Sequence, residues 1–170
     1  MSLLIVLHFP DTNLRKKAAP IEVIDESIAI LAEDMLETMY SEMGIGLAAV
    51  QANVLKRIIV MDLSVDRNEP RVMINPEIIS REGKQEAQES CLSVPGFSET
   101  VERTETICFK YLNLEEEMIE DKVGGLLAVC IQHETDHLDG KLFIDYLSPL
   151  KRQVIQKKIK KQDKQQYQLL

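Results

Sequence analysis

Two glycines (Gly124-Gly125) and an Asp139-Gly140 pair bound a helix over about Leu126 to Leu138, and this segment constrains the chain more than any other. Its first half is apolar: Leu126, Leu127, Val129, Cys130 and Ile131. His133, Glu134 and His137 then continue it, in an H-E-x-x-H pattern. Two imidazoles and a carboxylate are costly to bury without a purpose. His133 and His137 stand at i and i+4 on one helical face, one turn or ~5.4 Å apart along the axis. Such a pair can grip one metal ion, with Glu134 close enough to reach a water on it.

A catalytic metal site needs a third protein ligand and an open position. No His or Glu follows His137, so the usual downstream ligand is missing. Asp139 and Asp145 read as turn or surface residues, and His8 reads as structural. Cys130, three residues before His133, could approach a metal shared with it, but lies about 10 Å along the axis from His137 and reads as a buried core thiol. Cys108 lies in an apolar run and reads as core. Cys91 stands in the polar stretch Gln88–Ser93, where a thiolate can be exposed; taken alone it is a free cysteine.

Gly44, Ile45, Gly46, Leu47, Ala48, Ala49, Val50 and Gln51 form a third element, read as a tight loop whose small residues admit close backbone approach. It lacks the third glycine and the preceding strand of a dinucleotide site, and no Lys-Ser/Thr pair follows as in a phosphate loop.

Around these elements the pattern is α+β. Ile28, Leu31, Ala32, Met35, Leu36 and Met39 recur at helical spacing over 26–41, with Asp25 placed to cap. Arg57–Leu63, Val72–Ile79 (interrupted by a turn-like Asn75-Pro76) and Thr104–Leu112 read as strands, with a hairpin tip at Glu115–Glu117. A last helix starts near Ser148-Pro149. Strands without regular βαβ alternation predict antiparallel sheets packed around the H-E-x-x-H helix, with a long N-terminal and a C-terminal helix. At 170 residues one domain is expected: a catalytic unit over 1–150, with 151–170 a basic helix or tail appended to it.

Composition narrows the setting. The net charge is −8, yet residues 151–170 carry seven basic residues and one acid, so that segment is +6 and the body −14. A solvated helix face and a surface for an anionic partner are both open readings of that tail. No apolar run approaches the ~20 residues of a membrane span, and Met1–Phe9 reads as a folded N-terminus rather than a signal peptide. Three cysteines are an odd count for a disulfide framework, so reduced thiols and a cytoplasmic setting are expected.

Taken together, Gly44–Gln51, Glu89–Ser93 and Gln132–His137 resemble the three motifs of the peptide deformylases, G-φ-G-φ-A-A-x-Q, E-G-C-L-S and Q-H-E-x-D-H, in order and over nearly the whole chain. Residues 10–15 and 142–147 are also similar to that family. The resemblance implies hydrolysis of the formyl group of N-formylmethionyl peptides. It implies metal ligands Cys91, His133 and His137, with Glu134 as general base and Gln51 plus the Leu92 backbone N–H holding the oxyanion. Substrate would lie along Gly44, Ile45 and Gly46, its methionine among Ile45, Leu126, Val129 and Cys130. The implied ion is one divalent metal, Fe2+ in the cell, with Zn2+, Ni2+ or Co2+ as substitutes. Implied partners are formylated peptides and, through the basic tail, the ribosome; the chain is expected to be a monomer with no membrane association. Arg103 and Asp136 are expected to pair behind the site. Two positions depart from the pattern. Ser90 replaces the motif glycine and would be strained if the backbone needs φ > 0. Ser98 stands where many relatives have an Arg that meets the substrate's far end.

Overall fold

Residues 2–168 are described by a computed structural model of the chain, with side chains through residue 165. Three helices carry the frame: α1 (Glu26–Ser41), α2 (Gly125–Leu138) and α3 (Pro149–Gln168). Seven strands join them: β1 (Gly46–Ala48), β2 (Ile58–Met61), β3 (Arg71–Glu82), β4 (Gln85–Cys91), β5 (Val94–Arg103), β6 (Thr106–Leu112) and β7 (Met118–Gly124). Five form one antiparallel sheet in the order β1-β2-β3-β6-β7, and β4-β5 is a separate hairpin. The α+β expectation matches this architecture.

Strand alternation explains why helices cover both faces of the large sheet. On β2, Ile59 and Met61 join Ala128, Cys130 and Ile131 of α2 in one core cluster. Ile58 and Val60 face the other way and meet Ile28, Ala32, Met35 and Met39 of α1. The Asp25 carboxylate accepts the Ser27 and Ile28 backbone N–H groups and starts α1 where the periodicity placed it. A third cluster lies under the β4-β5 hairpin, where Cys91, Val94 and Val101 meet Phe143 of the 3-10 turn Phe143–Tyr146 and Ile155 and Ile159 of α3. The first turns of α3 are therefore part of the core, while residues 169–170 of the predicted tail lie outside the described residues.

Three local expectations change. Gly46–Ala48 is not loop but edge strand, paired with β2. The turn-like Asn75-Pro76 expected inside its strand is a bulge, in which Asn75 takes φ 50° and its side chain bonds both backbone groups of Ile21. Cys108 is not core, because it faces away from its buried neighbours Ile107 and Phe109. The stretch around Cys91 is not an open polar loop but the end of β4. On β4 the alternate residues Glu89 and Cys91 turn inward and Gln88 and Ser90 outward.

Ser90 is an extended strand residue, paired with Ser98, and is absent from the positive-φ positions. Its side chain points to solvent, so no strain attends the departure from glycine. Ser90→Gly should therefore relieve nothing and destabilise by about 0.5–1 kcal/mol through chain entropy, read as the shift in denaturant midpoint.

Candidate metal centre

α2 has buried residues on every side from Ala128 to Thr135, and again at His137 and Leu138, because sheet, hairpin and 3-10 turn surround it. A helix enclosed this way has no solvent face on which to place polar groups. Its histidines must therefore be satisfied by neighbours. His133 Nδ1 lies 2.7 Å from Glu89 Oε1. Its ring stacks near Phe143, with centroids 6.1 Å apart. A neutral ring that donates Nδ1–H to Glu89 would present an Nε2 lone pair. That atom lies 3.2 Å from His137 Nε2, which lies 3.3 Å from Cys91 Sγ.

These three ligand atoms all fall within 4.8 Å of one another, and all three residues are buried. Three donor atoms converging in a buried space fit a cation between them. Burial opposes charge on His133, yet its bonds to Cys91 and Glu89 outweigh that and push it well above the ordinary value, so a metal ion bound at Nε2 would take the place of a proton. Burial, His133 and Arg103 hold His137 well below, as the neutral ring that a ligand must be. A thiolate with two imidazoles suits zinc or ferrous iron, and the set of three leaves an open coordination position.

Glu134 borders the same space. Its carboxyl is buried, Oε2 has no partner, and burial with nearby Glu89 pushes it up to about 7. A carboxyl so placed can take and return a proton near neutrality. Gly46 makes room for it: a Cβ there would stand 2.5 Å from Glu134 Oε1 and 3.1 Å from Cys130 Sγ. Gln51 is held by its own oxygen, which accepts the Ala48 N–H at 2.9 Å. Its Nε2 donates to Ser93 Oγ at 3.1 Å and lies 3.5 Å from the Cys91 sulfur.

All of this opens on one cavity of about 580 Å3. Gly44, Ile45, Gly46, Leu126, Val129 and Cys130 line it, as do Gln51, Cys91, Leu92, His133 and Glu134. Cys130 also belongs to the α2 core cluster, and burial, then Glu134 and Glu89, push its thiol well up, so it stays neutral.

Two residues that border the site were not singled out from sequence. His8, read as structural, is exposed at the cavity rim, brought there because Leu7 N–H donates to Gln51 O and Phe9 N–H to Ser93 O, both at 2.7 Å. Glu89 was quoted only as part of a motif. Its place two residues before Cys91 on one strand face was the available signal. The expected Arg103–Asp136 pair is present at 2.7 Å. Arg103 also grips Glu89 with two bonds, Nε to Oε2 at 2.7 Å and Nη2 to Oε1 at 2.8 Å. Burial pushes Glu89 up, but the bonds from Arg103 and His133 outweigh it and hold the carboxyl below its usual range.

The polypeptide deformylase family model matches residues 3–153. A peptide deformylase of Nitrosococcus oceani is 55% identical over 164 residues, covering 96% of this chain and 98% of the relative. One of Pseudomonas aeruginosa is 56% identical over 167 residues, covering 98% and 99%. The crystal structure of a peptide deformylase from Legionella pneumophila superposes with TM-score 0.92 at 46% identity, covering 98% of each chain. That of an Ehrlichia chaffeensis peptide deformylase in complex with actinonin gives 0.91 at 40% identity, covering 95% of this chain and 98% of the other.

Replacing the sulfur tests the donor set directly. Cys91→Ala should remain folded but bind cobalt(II) more than ~100-fold more weakly and without the thiolate absorption band, in a titration against a competing chelator.

Proposed function

The chain belongs to the peptide deformylase family and is a metal-dependent hydrolase that releases formate from the N-formylmethionine of nascent polypeptides; we propose the following division of labour among its residues. Cys91, His133 and His137 hold one divalent ion, Fe2+ in the cell, with Zn2+, Ni2+ or Co2+ as substitutes. When bound, the ion supplies Lewis acidity to water and to the formyl carbonyl. The observation that carries this reading is the buried convergence of the three ligand atoms beside an unpartnered Glu134 carboxyl oxygen.

Glu134 accepts a proton from the attacking water and returns it to the departing amine. Gln51 Nε2 and the Leu92 backbone N–H donate to the formyl oxygen as it gains charge, a contribution of ~3–4 kcal/mol for one such donor. Gln51 suits the task because its other end is already fixed on Ala48, so no reorientation is required at the moment of reaction. The peptide lies extended beside Ile45-Gly46, bonded through its backbone, with its methionine among Ile45, Leu126, Val129 and Cys130. Ser98 offers no charge to residues further along, and its hydroxyl accepts from Gln88 Nε2 at 2.9 Å.

The second partner is ribosomal RNA. Ile155 and Ile159 turn inward on α3 while Lys157, Lys158, Lys160, Lys161 and Lys164 are exposed, and attraction to phosphate would make docking weaken with salt. No described helix is long and apolar enough to cross a membrane. We place the enzyme in the cytoplasm as a monomer with its substrates.

Glu134→Gln should lower formate release from a formyl-Met-Ala-Ser peptide by about 10²–10⁴-fold in iron-loaded protein that keeps its metal. In the parent, the rate should rise with pH as Glu134 loses its proton, levelling below about 7 because the adjacent cation favours the carboxylate. A flat profile, or an active Gln variant, would remove Glu134 as the base. Lys157, Lys158 and Lys161 changed together to Glu should abolish co-sedimentation with ribosomes at low salt and leave short-peptide turnover intact.

A further inference from the structure

From His133 and Glu89 at the cavity wall, a chain of contacts runs outward to Tyr146 that the reaction does not itself use. His133 Nδ1 meets Glu89, Glu89 is clasped by Arg103, and Arg103 Nη1 reaches Asp136 Oδ2 at 2.7 Å. The Tyr146 hydroxyl donates to that same Asp136 oxygen at 2.7 Å. Its ring also lies against the guanidinium, 4.6 Å from Arg103 Cζ to the ring centroid. We propose that Tyr146 is a positioning residue for the metal centre, fixing ligand His133 through Asp136, Arg103 and Glu89; this rests on the reading of His133 as a ligand.

The geometry assigns each link a task. Arg103 is 3% exposed at its side chain, and its bonded N–H groups are divided between two carboxylates. Glu89 is oriented by how the guanidinium is turned, and that turn is set by its far anchor, Asp136. Asp136 is the weak point, since its side chain is 15% exposed. A cavity of about 210 Å3 opens onto Arg103, Asp136 and Tyr146 from the outside, so water can compete for the anchor. The Tyr146 hydroxyl occupies the Asp136 oxygen, and its ring covers the cation with an apolar face. Burial and Asp136 push its phenol up to about 12, so it remains a donor throughout the working pH range. The same 3-10 turn supplies Phe143, whose ring stacks on His133 itself. Residues at i and i+3 eclipse in a 3-10 helix, so one turn presents both side chains to α2. His133 is thus held directly by Phe143 and at a distance by Tyr146.

The test uses the full chain loaded with cobalt(II), comparing the parent with Tyr146→Phe, which keeps the ring and removes only the hydroxyl. The expected result is metal release to a chelator about 10-fold faster, a shift of the visible cobalt bands, and a lower kcat with KM unchanged. Tyr146→Ala, losing ring and hydroxyl together, should release faster still. In an Asp136→Asn background, Tyr146→Phe should add little, because the two act through one link. Release rates and cobalt bands equal to the parent would overturn the proposal, as would a lower Tm with both of those unchanged, which marks Tyr146 as surface packing alone. Because release and spectra need no turnover, failure of deformylation in the parent would appear separately from failure of this proposal.

Discussion

Two imidazole nitrogens 3.2 Å apart, with a sulfur 3.3 Å from one of them, bring three metal-donor atoms to one buried point. Much of the surrounding structure serves to hold that arrangement in place. α2 supplies both histidines at fixed spacing, but the sulfur must come from elsewhere, and β4 carries it on a hairpin outside the main sheet. The hairpin is registered against α2 by polar contacts: Glu89 meets His133 and, through Arg103, Asp136. Leaving either member of that buried pair alone would cost several kcal/mol, so the contacts specify one placement of the hairpin more than they add net stability.

The N-terminal segment closes the same construction from the other side. Leu7 bonds the Gln51 carbonyl and Phe9 the Ser93 carbonyl, so one short run of chain ties the Gly44–Gln51 motif to the Cys91 motif. Gln51 Nε2 repeats the tie at the side-chain level through Ser93. Three motifs far apart in sequence therefore meet through fixed hydrogen bonds among Leu7, Phe9, Gln51 and Ser93.

Sequence reasoning succeeded where information is local. The H-E-x-x-H spacing, the caps of α1 and the stop at Asp139-Gly140 each depend on residues within a few positions, and each stands where it was expected. The β4-β5 hairpin was illegible because its inward face carries Glu89 and Arg103, groups whose partners are distant in sequence, so the usual alternation of apolar and polar residues is missing. β7 escaped because it is an edge strand with Glu120, Asp121 and Lys122 exposed, charges that suit an edge and resemble a loop. Cys91 became the third ligand only by resemblance. From the residues alone Cys130 remained a rival, and the fold removes it by setting its sulfur against Gly46 in the core cluster of α2, outside the group of atoms that converge.

The hairpin also explains why two departures from the family pattern leave the centre intact. Ser90 and Ser98 are direct cross-strand partners on the outward face, with the neighbouring outward pair Gln88 and Thr100 bonded side chain to side chain at 2.9 Å. Glu89, Cys91, Val101 and Arg103 point the opposite way and are buried. Because successive strand residues face opposite sides, an outward pair can change together without moving the inward set. Ser90 lines the cavity and Ser98 is its cross-strand partner, so the change falls at the edge of the cavity. The buried Glu89, Cys91 and Arg103 and the outward Ser90–Ser98 pair thus occupy opposite faces of one hairpin, and substitution on one face need not disturb the other.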